Sequence, residues 1–445
     1  MTHRFLYWIL FCALLFVYSC KSSKSVAEVH SDSFANKVEQ LHSLISDFEL
    51  ENQLFTGFII ENLKTEKIVY AHNEDKFFTP ASNTKLLTYL AAIDILADSV
   101  PALKYFQYKD SLFILGTGDP TFLAPYDADS TVYHFLSQTD KTILLNTDNM
   151  KTERFGAGWA WDDFKYYYQK ENTALPFFNM ATLIKTHPDS SSHSIHPTFM
   201  NQFIQTDFEA SLFLKREEQS NIITINPLHQ VSYPRDYEVP FYISPDFIAK
   251  SLSESINQQV GYSDFDVHED SLLTLYHSST DSLLKRLMLF SDNFVAEQLL
   301  FLMSDKLDVD MNTRIVIRNI LDSRFKDIPD RPRWVDGSGL SRYNLITPRS
   351  LVWVLRRLSE SVSQSDIREI FPSADHKGTL PKAMESLSIR AKTGSFSNNF
   401  CLSGYLTSES GETYIFSWMN NHYMITKNEL TESMAKIFRF LEKNW

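Results

Sequence analysis

Strand-forming patterns occur at both ends of this chain, far apart in the sequence. Near the amino end, "LFTGFIIENLKTEKIVYAH" (residues 54–72) has two apolar runs around a polar turn, the pattern of a β-hairpin. Near the carboxyl end, the strand patterns "SIRAKTGS", "NNFCLSGYLTS" and "ETYIFSWMNN" precede the helical pattern "LTESMAKIFRFLEKNW". This order predicts one sheet assembled from both ends of the chain, with the remaining residues inserted at its middle.

Residues 97–275 differ in their hydrophobic pattern from both ends of the chain. Their short apolar runs, such as "SLFILGTGDP", "KTILLNT" and "SNIITINPL", are broken by Asp, Ser, Thr, Pro and Gly, a pattern typical of many short strands. A chain of 445 residues also exceeds one ordinary compact core. We therefore predict an α+β multidomain protein in which residues 35–96 and 276–445 form one domain and residues 97–275 form a large, mostly β insertion.

The amino-terminal stretch "MTHRFLYWILFCALLFVYS" combines a basic start at Arg4 with an apolar run over residues 5–18. So short a run after a basic start is typical of an export signal rather than of a membrane-spanning helix. We therefore predict that residues 1–19 are a signal peptide and that the protein acts in the periplasm.

The stretch "VYSC" resembles a bacterial lipobox, whose cysteine is lipidated after cleavage. This resemblance implies a lipid on Cys20, a polar tether over residues 20–34, and membrane attachment through that lipid. Lys21 stands where an aspartate would favour the inner membrane, so the outer membrane is expected. A plain signal peptide and a short membrane anchor remain as alternatives.

Net charge and cysteine content exclude several classes of protein. A formal charge of −13, without any basic block, leaves no broad surface to neutralise phosphates, so we expect no nucleic-acid partner. Cys12 leaves with the signal and Cys20 carries the lipid, so Cys401 has no cysteine to pair with. Because Cys401 lies in an apolar strand pattern, we interpret it as a small buried residue.

A serine and a lysine lie three residues apart in "TPASNTKLLTYLAAIDIL", where a helical pattern begins. Ser82 and Lys85 would face the same side of one helical turn, close enough to share a proton. They could equally belong to an ordinary helix start with a solvated lysine. The spacing alone does not decide, because it recurs in three other pairs: Ser282 and Lys285, Ser323 and Lys326, and Ser433 and Lys436.

Two further motifs follow the serine–lysine pair in the chain. The first is "SDN" at residues 291–293, between two helical patterns, and the second is "KTG" at residues 392–394, inside a strand pattern. Each has a structural alternative, since Ser291 and Asn293 could cap a helix and Lys392 could protect a sheet edge. The order and contexts of the three motifs together are the signature of penicillin-binding proteins and class A β-lactamases.

The spacing between these motifs distinguishes the families within this group. Between Lys85 and Ser291 lie 205 residues, far more than in class A β-lactamases, and so large an insertion resembles the type-4 penicillin-binding proteins, the D-alanyl-D-alanine carboxypeptidase/endopeptidase family. Further similar stretches are "LGTGDPT", "FGAGWAWDDFKYYY", "VDGSGLSRYNLITP" and "AKTGS". Mild departures are a missing glycine in "GTGDP" and Ser395 in place of threonine. The resemblance implies a transpeptidase-like domain with an antiparallel sheet flanked by helices, plus a helical subdomain.

The residue types also make chemical sense by themselves. A serine hydroxyl needs a base to become a good nucleophile, and a neutral amine can be that base. The Lys85 amine becomes neutral only if its pKa falls from about 10.4, which burial and a nearby cation can cause. We expect Lys392 to be that cation, so that Lys85 is the base and Ser82 the nucleophile.

The other motif residues fit the binding of a peptide with a free carboxylate. Lys392 would attract the carboxylate, Ser291 would pass a proton to the leaving amine, and the Asn293 side chain would hold the substrate amide. The resemblance implies that the backbone NH groups of Ser82 and Ser395 form the oxyanion hole. The predicted substrate-binding set is therefore Asn293, Lys392, Thr393, Gly394 and Ser395.

The resemblance implies a serine hydrolase that cleaves peptidoglycan stem peptides through an acyl-enzyme, with β-lactams as covalent inhibitors and without a cofactor. It also places an acidic residue near Asp163, which could bind diaminopimelate or could simply be exposed in a loop. The alternatives are a β-lactamase or esterase of the same fold, or a catalytically silent wall-binding lipoprotein.

Two other patterns favour structural interpretations. His187, His193 and His196 lie in "HPDSSSHSIHP", but no helix sets their spacing, so we interpret them as a solvated loop and expect no metal site. The Gly-Ser-Gly at residues 337–339 lacks the Gly-x-Ser-x-Gly of a hydrolase elbow and is interpreted as a turn.

Overall fold

The computed structural model describes residues 26–186, 193–230, 233, 235–265, 272–374 and 378–445. The predicted signal peptide and the predicted lipid attachment site at Cys20 lie outside the described residues. Within the described ranges, no helix is both long enough and apolar enough to cross a membrane.

A five-stranded antiparallel sheet, here the main sheet, joins the two ends of the chain. The amino-terminal hairpin pairs with the carboxyl-terminal strands through Phe55–Asn62 and Thr413–Asn421. This confirms the predicted hairpin and the prediction of one sheet built from both ends. In spatial order the strands are Ile389–Phe396, Asn399–Thr407, Thr413–Asn421, Phe55–Asn62 and Ile68–His72.

Both faces of the main sheet are buried, which explains why its central strands are almost continuously apolar. Phe58 and Trp418 point to a core closed by the terminal helices Val26–Glu51 and Lys427–Asn444, whereas Ile59 points to the opposite core. Full burial of one such side chain contributes about 1.5–3 kcal/mol, so both cores are substantial. The helices at or near the second core are Lys85–Ile95, Thr280–Leu289, Asn293–Lys306, Thr313–Ser323, Pro348–Ser361 and Gln364–Ile370.

In the described residues of the predicted insertion, the strands form three small sheets. The largest has five strands, in the order Val260–Tyr262, Thr142–Asn146, Ser111–Gly116, Ser99–Tyr108 and Leu273–Ser279. The other two have three strands each: Arg235–Pro240, Ala181–Thr186 and His193–His196 in one, and Ile204–Thr206, Ile223–Ile225 and Leu214–Arg216 in the other. Two α-helices, Thr131–Ser137 and Pro245–Ile256, complete its described part.

Two elements cross the predicted domain boundaries. The first helix begins at Val26, inside the predicted tether, and the strand Leu273–Ser279 extends past residue 275 while it pairs with Ser99–Tyr108. The division of the chain into domains stays a prediction. His193 and His196 lie in a strand, so the interpretation of this stretch as a loop is wrong for these two residues, and His187 lies outside the described residues.

Candidate active site

The serine–lysine pair lies where a short 3-10 helix, Ala81–Thr84, runs into the helix Lys85–Ile95. Ser82 is half-buried, whereas the Lys85 side chain is completely buried. The Lys85 Nζ is 3.1 Å from the Ser82 Oγ. The structure therefore brings together the two residues that the sequence paired, at hydrogen-bonding distance.

Two more acceptors complete the surroundings of the Lys85 amine. Its Nζ lies 2.6 Å from the Asn293 Oδ1 and 2.6 Å from the Ser338 carbonyl oxygen. An ammonium group has three protons to donate, so all three find an acceptor inside the protein. This arrangement fixes the amine against the serine hydroxyl.

The "SDN" residues lie between the helices Thr280–Leu289 and Asn293–Lys306. Ser291 has a φ of +56°, an uncommon conformation for a serine, and Asp292 caps the second helix by accepting a hydrogen bond from the Val295 NH at 3.1 Å. The Asn293 Nδ2 donates to the Tyr168 carbonyl oxygen at 2.9 Å. The insertion therefore orients the Asn293 side chain that contacts Lys85.

The "KTG" residues lie on the edge strand Ile389–Phe396, beside the serine segment. The Lys392 Nζ donates to the Ser291 Oγ at 2.8 Å and to the Thr393 carbonyl oxygen at 2.9 Å. A Cβ at Gly394 would lie 2.4 Å from the Pro80 carbonyl oxygen and 3.0 Å from the Ser82 backbone nitrogen. Only glycine lets this strand approach the serine so closely.

Burial dominates the electrostatics of both lysines. It lowers the pKa of Lys85 to about 8, although the carboxylates of Asp336, Glu297 and Asp292 oppose the shift. Burial also lowers the pKa of Lys392, and the nearby Lys85 charge lowers it further. Both effects act against a charged Lys392 in the free site, and the expectation that Lys392 is the charged member of the pair stays a prediction.

The loop at residues 336–341 is the part of the site that sequence reasoning missed. Gly339 has a φ of +82°, and a Cβ there would lie 1.9 Å from the Ala81 carbonyl oxygen, so this loop packs directly on the serine segment. Asp336 is buried and accepts backbone NH groups of Gly339 at 2.9 Å and of Ser341 at 2.6 Å. The turn interpretation overlooked that this loop carries the Ser338 carbonyl bound by Lys85.

The insertion forms one wall of a cleft of about 680 Å³ that also exposes Ser82, Ser291, Asn293 and Ser395. Asp163 lines this wall from the short helix Trp161–Lys165. The segment is fastened to the 336–341 loop, because the Trp159 Nε1 donates to Asp336 at 2.8 Å and the Ser341 Oγ donates to the Ala157 carbonyl oxygen at 2.7 Å. Asp163 is therefore held in the same cleft as the serine.

Cys401 lies behind the site on the neighbouring strand and is completely buried. Burial raises the pKa of its thiol to about 12, so the thiol stays protonated and unreactive. In the described part of the chain, no group of three or more His, Cys, Asp or Glu residues could hold a metal ion.

A buried serine–lysine pair between a sheet and a helical region, with a lysine on the adjacent strand, defines the class of penicillin-binding proteins and serine β-lactamases. A model of the D-Ala-D-Ala carboxypeptidase 3 (S13) family matches residues 37–210 and 240–444. The chain belongs to this family.

Relatives and solved structures agree with this membership. The D-alanyl-D-alanine carboxypeptidase DacB of Haemophilus influenzae is 23% identical, over 87% of this chain and 89% of its own length. The crystal structure of penicillin-binding protein 4 from the same organism has a TM-score of 0.72 at 20% identity and covers 90% of this chain and 99% of that one. A second structure of that protein, in complex with a β-lactam, has a TM-score of 0.67 at 19% identity, with the same coverage of both chains.

These comparisons confirm the predicted family, the predicted α+β fold class and the predicted enzyme class, a serine-type D-Ala-D-Ala peptidase. The role of each site residue stays a prediction.

Proposed function

We propose that this protein hydrolyses D-alanyl-D-X peptide bonds in peptidoglycan stem peptides through an acyl-enzyme on Ser82. The observation that carries the proposal is the contact of 3.1 Å between the Ser82 Oγ and an amine enclosed by protein acceptors. The family to which the chain belongs and the names of its relatives support the same substrate class.

Acylation begins when the Ser82 Oγ attacks the peptide carbonyl and its proton passes to neutral Lys85. With a pKa of about 8, about a tenth of Lys85 is neutral at pH 7, whereas almost none of a lysine with an ordinary pKa would be. The backbone NH groups of Ser82 and Ser395 stabilise the negative charge that develops on the carbonyl oxygen. Removal of one such donor typically costs about 3–4 kcal/mol of transition-state stabilisation.

The substrate carboxylate would bind at Lys392, with the hydroxyl groups of Thr393 and Ser395 beside it. Its negative charge would raise the pKa of Lys392 and keep that amine charged. A charged Lys392 in turn favours the neutral form of Lys85. Substrate binding would therefore favour a division of roles in which Lys392 is charged and Lys85 is neutral.

The acyl-enzyme then resolves by hydrolysis. Ser291, which contacts the Lys392 Nζ, would pass a proton to the departing amine, either free D-alanine or the cross-linking amine of a second stem peptide, and would be reprotonated with the proton that Lys85 took from Ser82. Water attacks the ester, the acid leaves and Ser82 regains its proton. The proposed chemistry uses no cofactor or metal.

The insertion contributes to substrate recognition in this proposal. Asp163 would bind the side-chain amine of a diaminopimelate residue, and residues 97–275 would act as a domain that supplies one wall of the cleft. Asp163 lines the cleft from the short helix Trp161–Lys165, and this placement supports the proposed contact with the substrate.

The test of the proposal is digestion of purified stem peptides and cross-linked dimers, followed by mass spectrometry. Loss of one terminal D-alanine from pentapeptides shows carboxypeptidase activity, and conversion of dimers to monomers shows endopeptidase activity. Absence of both products, or rapid turnover of penicillin alone, would contradict the proposal and favour the silent lipoprotein or the β-lactamase.

The same assay tests Asp163. Asp163→Asn is expected to lower kcat/KM about 10-fold or more on a substrate with a free side-chain amine, because a charge-assisted hydrogen bond contributes about 1.5–3 kcal/mol. On the N-acetylated substrate the variant and the wild type should be equal. Equal rates on both substrates would remove Asp163 from the binding site.

We also propose that a lipid on Cys20 anchors the protein to the outer membrane, which rests on the "VYSC" stretch and Lys21. Cys20→Ser is expected to abolish incorporation of labelled palmitate and to leave the precursor unprocessed or release the protein from the membrane fraction. Cys12→Ser, in the preceding apolar run, is the matched control and should be lipidated normally. Unchanged lipidation of Cys20→Ser would exclude this anchor.

A further inference from the structure

One buried acid in the site has no part in the proposed mechanism. Glu297 lies one helical turn after Asn293 on the helix Asn293–Lys306, and only 2% of its surface is exposed. Its two carboxylate oxygens accept hydrogen bonds from consecutive backbone NH groups, Gly337 at 3.0 Å and Ser338 at 2.8 Å. Both oxygens face donors, which favours the ionised form.

The helix that carries the catalytic lysine binds the same two residues through their carbonyl groups. The Thr88 Oγ1 donates to the Gly337 carbonyl oxygen at 2.7 Å, and the Lys85 Nζ donates to the Ser338 carbonyl oxygen at 2.6 Å. A Cβ at Gly337 would lie 2.4 Å from the Ala296 carbonyl oxygen, so this turn packs tightly on the Glu297 helix. Glu297 and Lys85 therefore bind opposite ends of the residue Ser338.

We propose that Glu297 is a positioning residue, which holds the Ser338 carbonyl on the Lys85 amine and, through its charge, sets the pH at which Lys85 accepts the proton of Ser82. This inference rests on the proposed function only in taking Lys85 as the base. In a glutamine, an NH2 group that cannot accept a hydrogen bond would replace one of the two carboxylate oxygens, and the side chain would carry no charge.

The sign of the charge effect follows from the surroundings. The Glu297 carboxylate favours the charged form of Lys85, so its removal should lower the pH at which Lys85 becomes neutral. Burial and the Asp336 carboxylate raise the pKa of Glu297 itself above its usual range, so Glu297 gains its charge only as the pH rises. In the described part of the chain, the other ionisable groups around the two residues include Asp336, Asp292 and Lys392, with Lys170 and Arg286 beside Asp292.

The test is the pH dependence of the rate at which a fluorescent penicillin acylates the full-length protein. In Glu297→Gln, the rise of this rate with pH is expected to move to lower pH by about 1 unit, the lower end of the effect of a nearby charge. Glu297→Asp keeps the charge but shortens the side chain, so its acylation rate should fall. The pH at which this rate rises should differ from the wild-type value by no more than about half a unit. Ser304→Ala, a neutral change of a buried residue on the same helix, should leave both the acylation rate and its pH dependence unchanged.

A purely structural role for Glu297 would lower the rate in Glu297→Gln without moving its pH dependence, and this result would overturn the proposal. If Glu297→Gln does not fold, the pH titration of the Glu297 carboxyl carbon in the wild type, assigned with Glu297→Asp, replaces it. A Glu297 carboxyl that stays protonated throughout the pH range in which the acylation rate rises would then reject the inference. Failure of penicillin to acylate the wild-type protein at Ser82 would instead reject the proposed function.

Discussion

Replacement of Ser82 by alanine is expected to abolish covalent labelling by a fluorescent penicillin. The β-lactam carbonyl takes the place of the D-Ala-D-Ala carbonyl, so without the Ser82 Oγ no ester can form. The loss of fold stability should be small, because this half-buried hydroxyl makes one side-chain hydrogen bond, worth about 0.5–1.5 kcal/mol. In-gel fluorescence measures the labelling, and thermal unfolding checks the fold.

The matched control is Ser282→Ala, which removes a serine that also precedes a lysine by three residues. Ser282 is exposed and its hydroxyl donates to the Ser279 carbonyl oxygen at 2.7 Å, so labelling should be normal. Persistent labelling of Ser82→Ala at the wild-type rate would mean that another residue is the nucleophile.

The same comparison shows what the spacing of two residues cannot reveal. Lys285 is 40% exposed and pairs with Asp281 at 3.1 Å and Glu369 at 3.0 Å, and these partners raise its pKa. Lys85 has the same spacing from its serine, but burial lowers its pKa. The difference arises from tertiary packing, so only the order of three motifs could single out Ser82 from the sequence.

The sequence predicted the fold well where the hydrophobic pattern of a segment and the order of segments along the chain determine it. Two apolar runs around a polar turn indicated the hairpin that contains Phe55–Asn62, and the order of elements indicated its partner strands at the other end of the chain. Long-range polar contacts left no such signal. The Ser338 carbonyl meets Lys85 across 253 residues, and the Tyr168 carbonyl meets Asn293 across 125 residues, through backbone atoms that every residue type possesses.

The balance of charge between Lys85 and Lys392 could not be predicted from the sequence for a related reason. A sequence shows that two lysines belong to one site, but it does not show how completely each is buried or which carboxylates face it. Asp336, Glu297 and Asp292 all favour the charged form of Lys85, whereas burial and the Lys85 charge both act against a charged Lys392. A bound substrate carboxylate would act in the opposite direction and favour a charged Lys392.

The second large effect is expected from Lys85→Met, which keeps roughly the volume of the side chain but removes the base. Acylation by penicillin should slow by about two to four orders of magnitude, the usual contribution of a positioned base. The wild-type rate should rise with pH through the pKa of Lys85, near 8, and this rise should disappear in the variant. Stopped-flow fluorescence with a labelled penicillin gives both the rate and its pH dependence.

Lys392→Met separates this role from that of the second lysine. Lys392 would bind the substrate carboxylate rather than take the proton of Ser82, so its loss should raise KM for stem peptides, while the pH-dependent rise in acylation remains. Near-normal acylation in Lys85→Met, together with loss of the pH-dependent rise in Lys392→Met, would mean that Lys392 is the base and that Lys85 binds the carboxylate. The electrostatics of the free site do not distinguish the two lysines, because burial lowers the pKa of both amines. Each amine also contacts a serine hydroxyl, since the Lys392 Nζ lies 2.8 Å from the Ser291 Oγ. The assignment of Lys85 as the base therefore depends on its contact with Ser82, and the two variants test that contact directly.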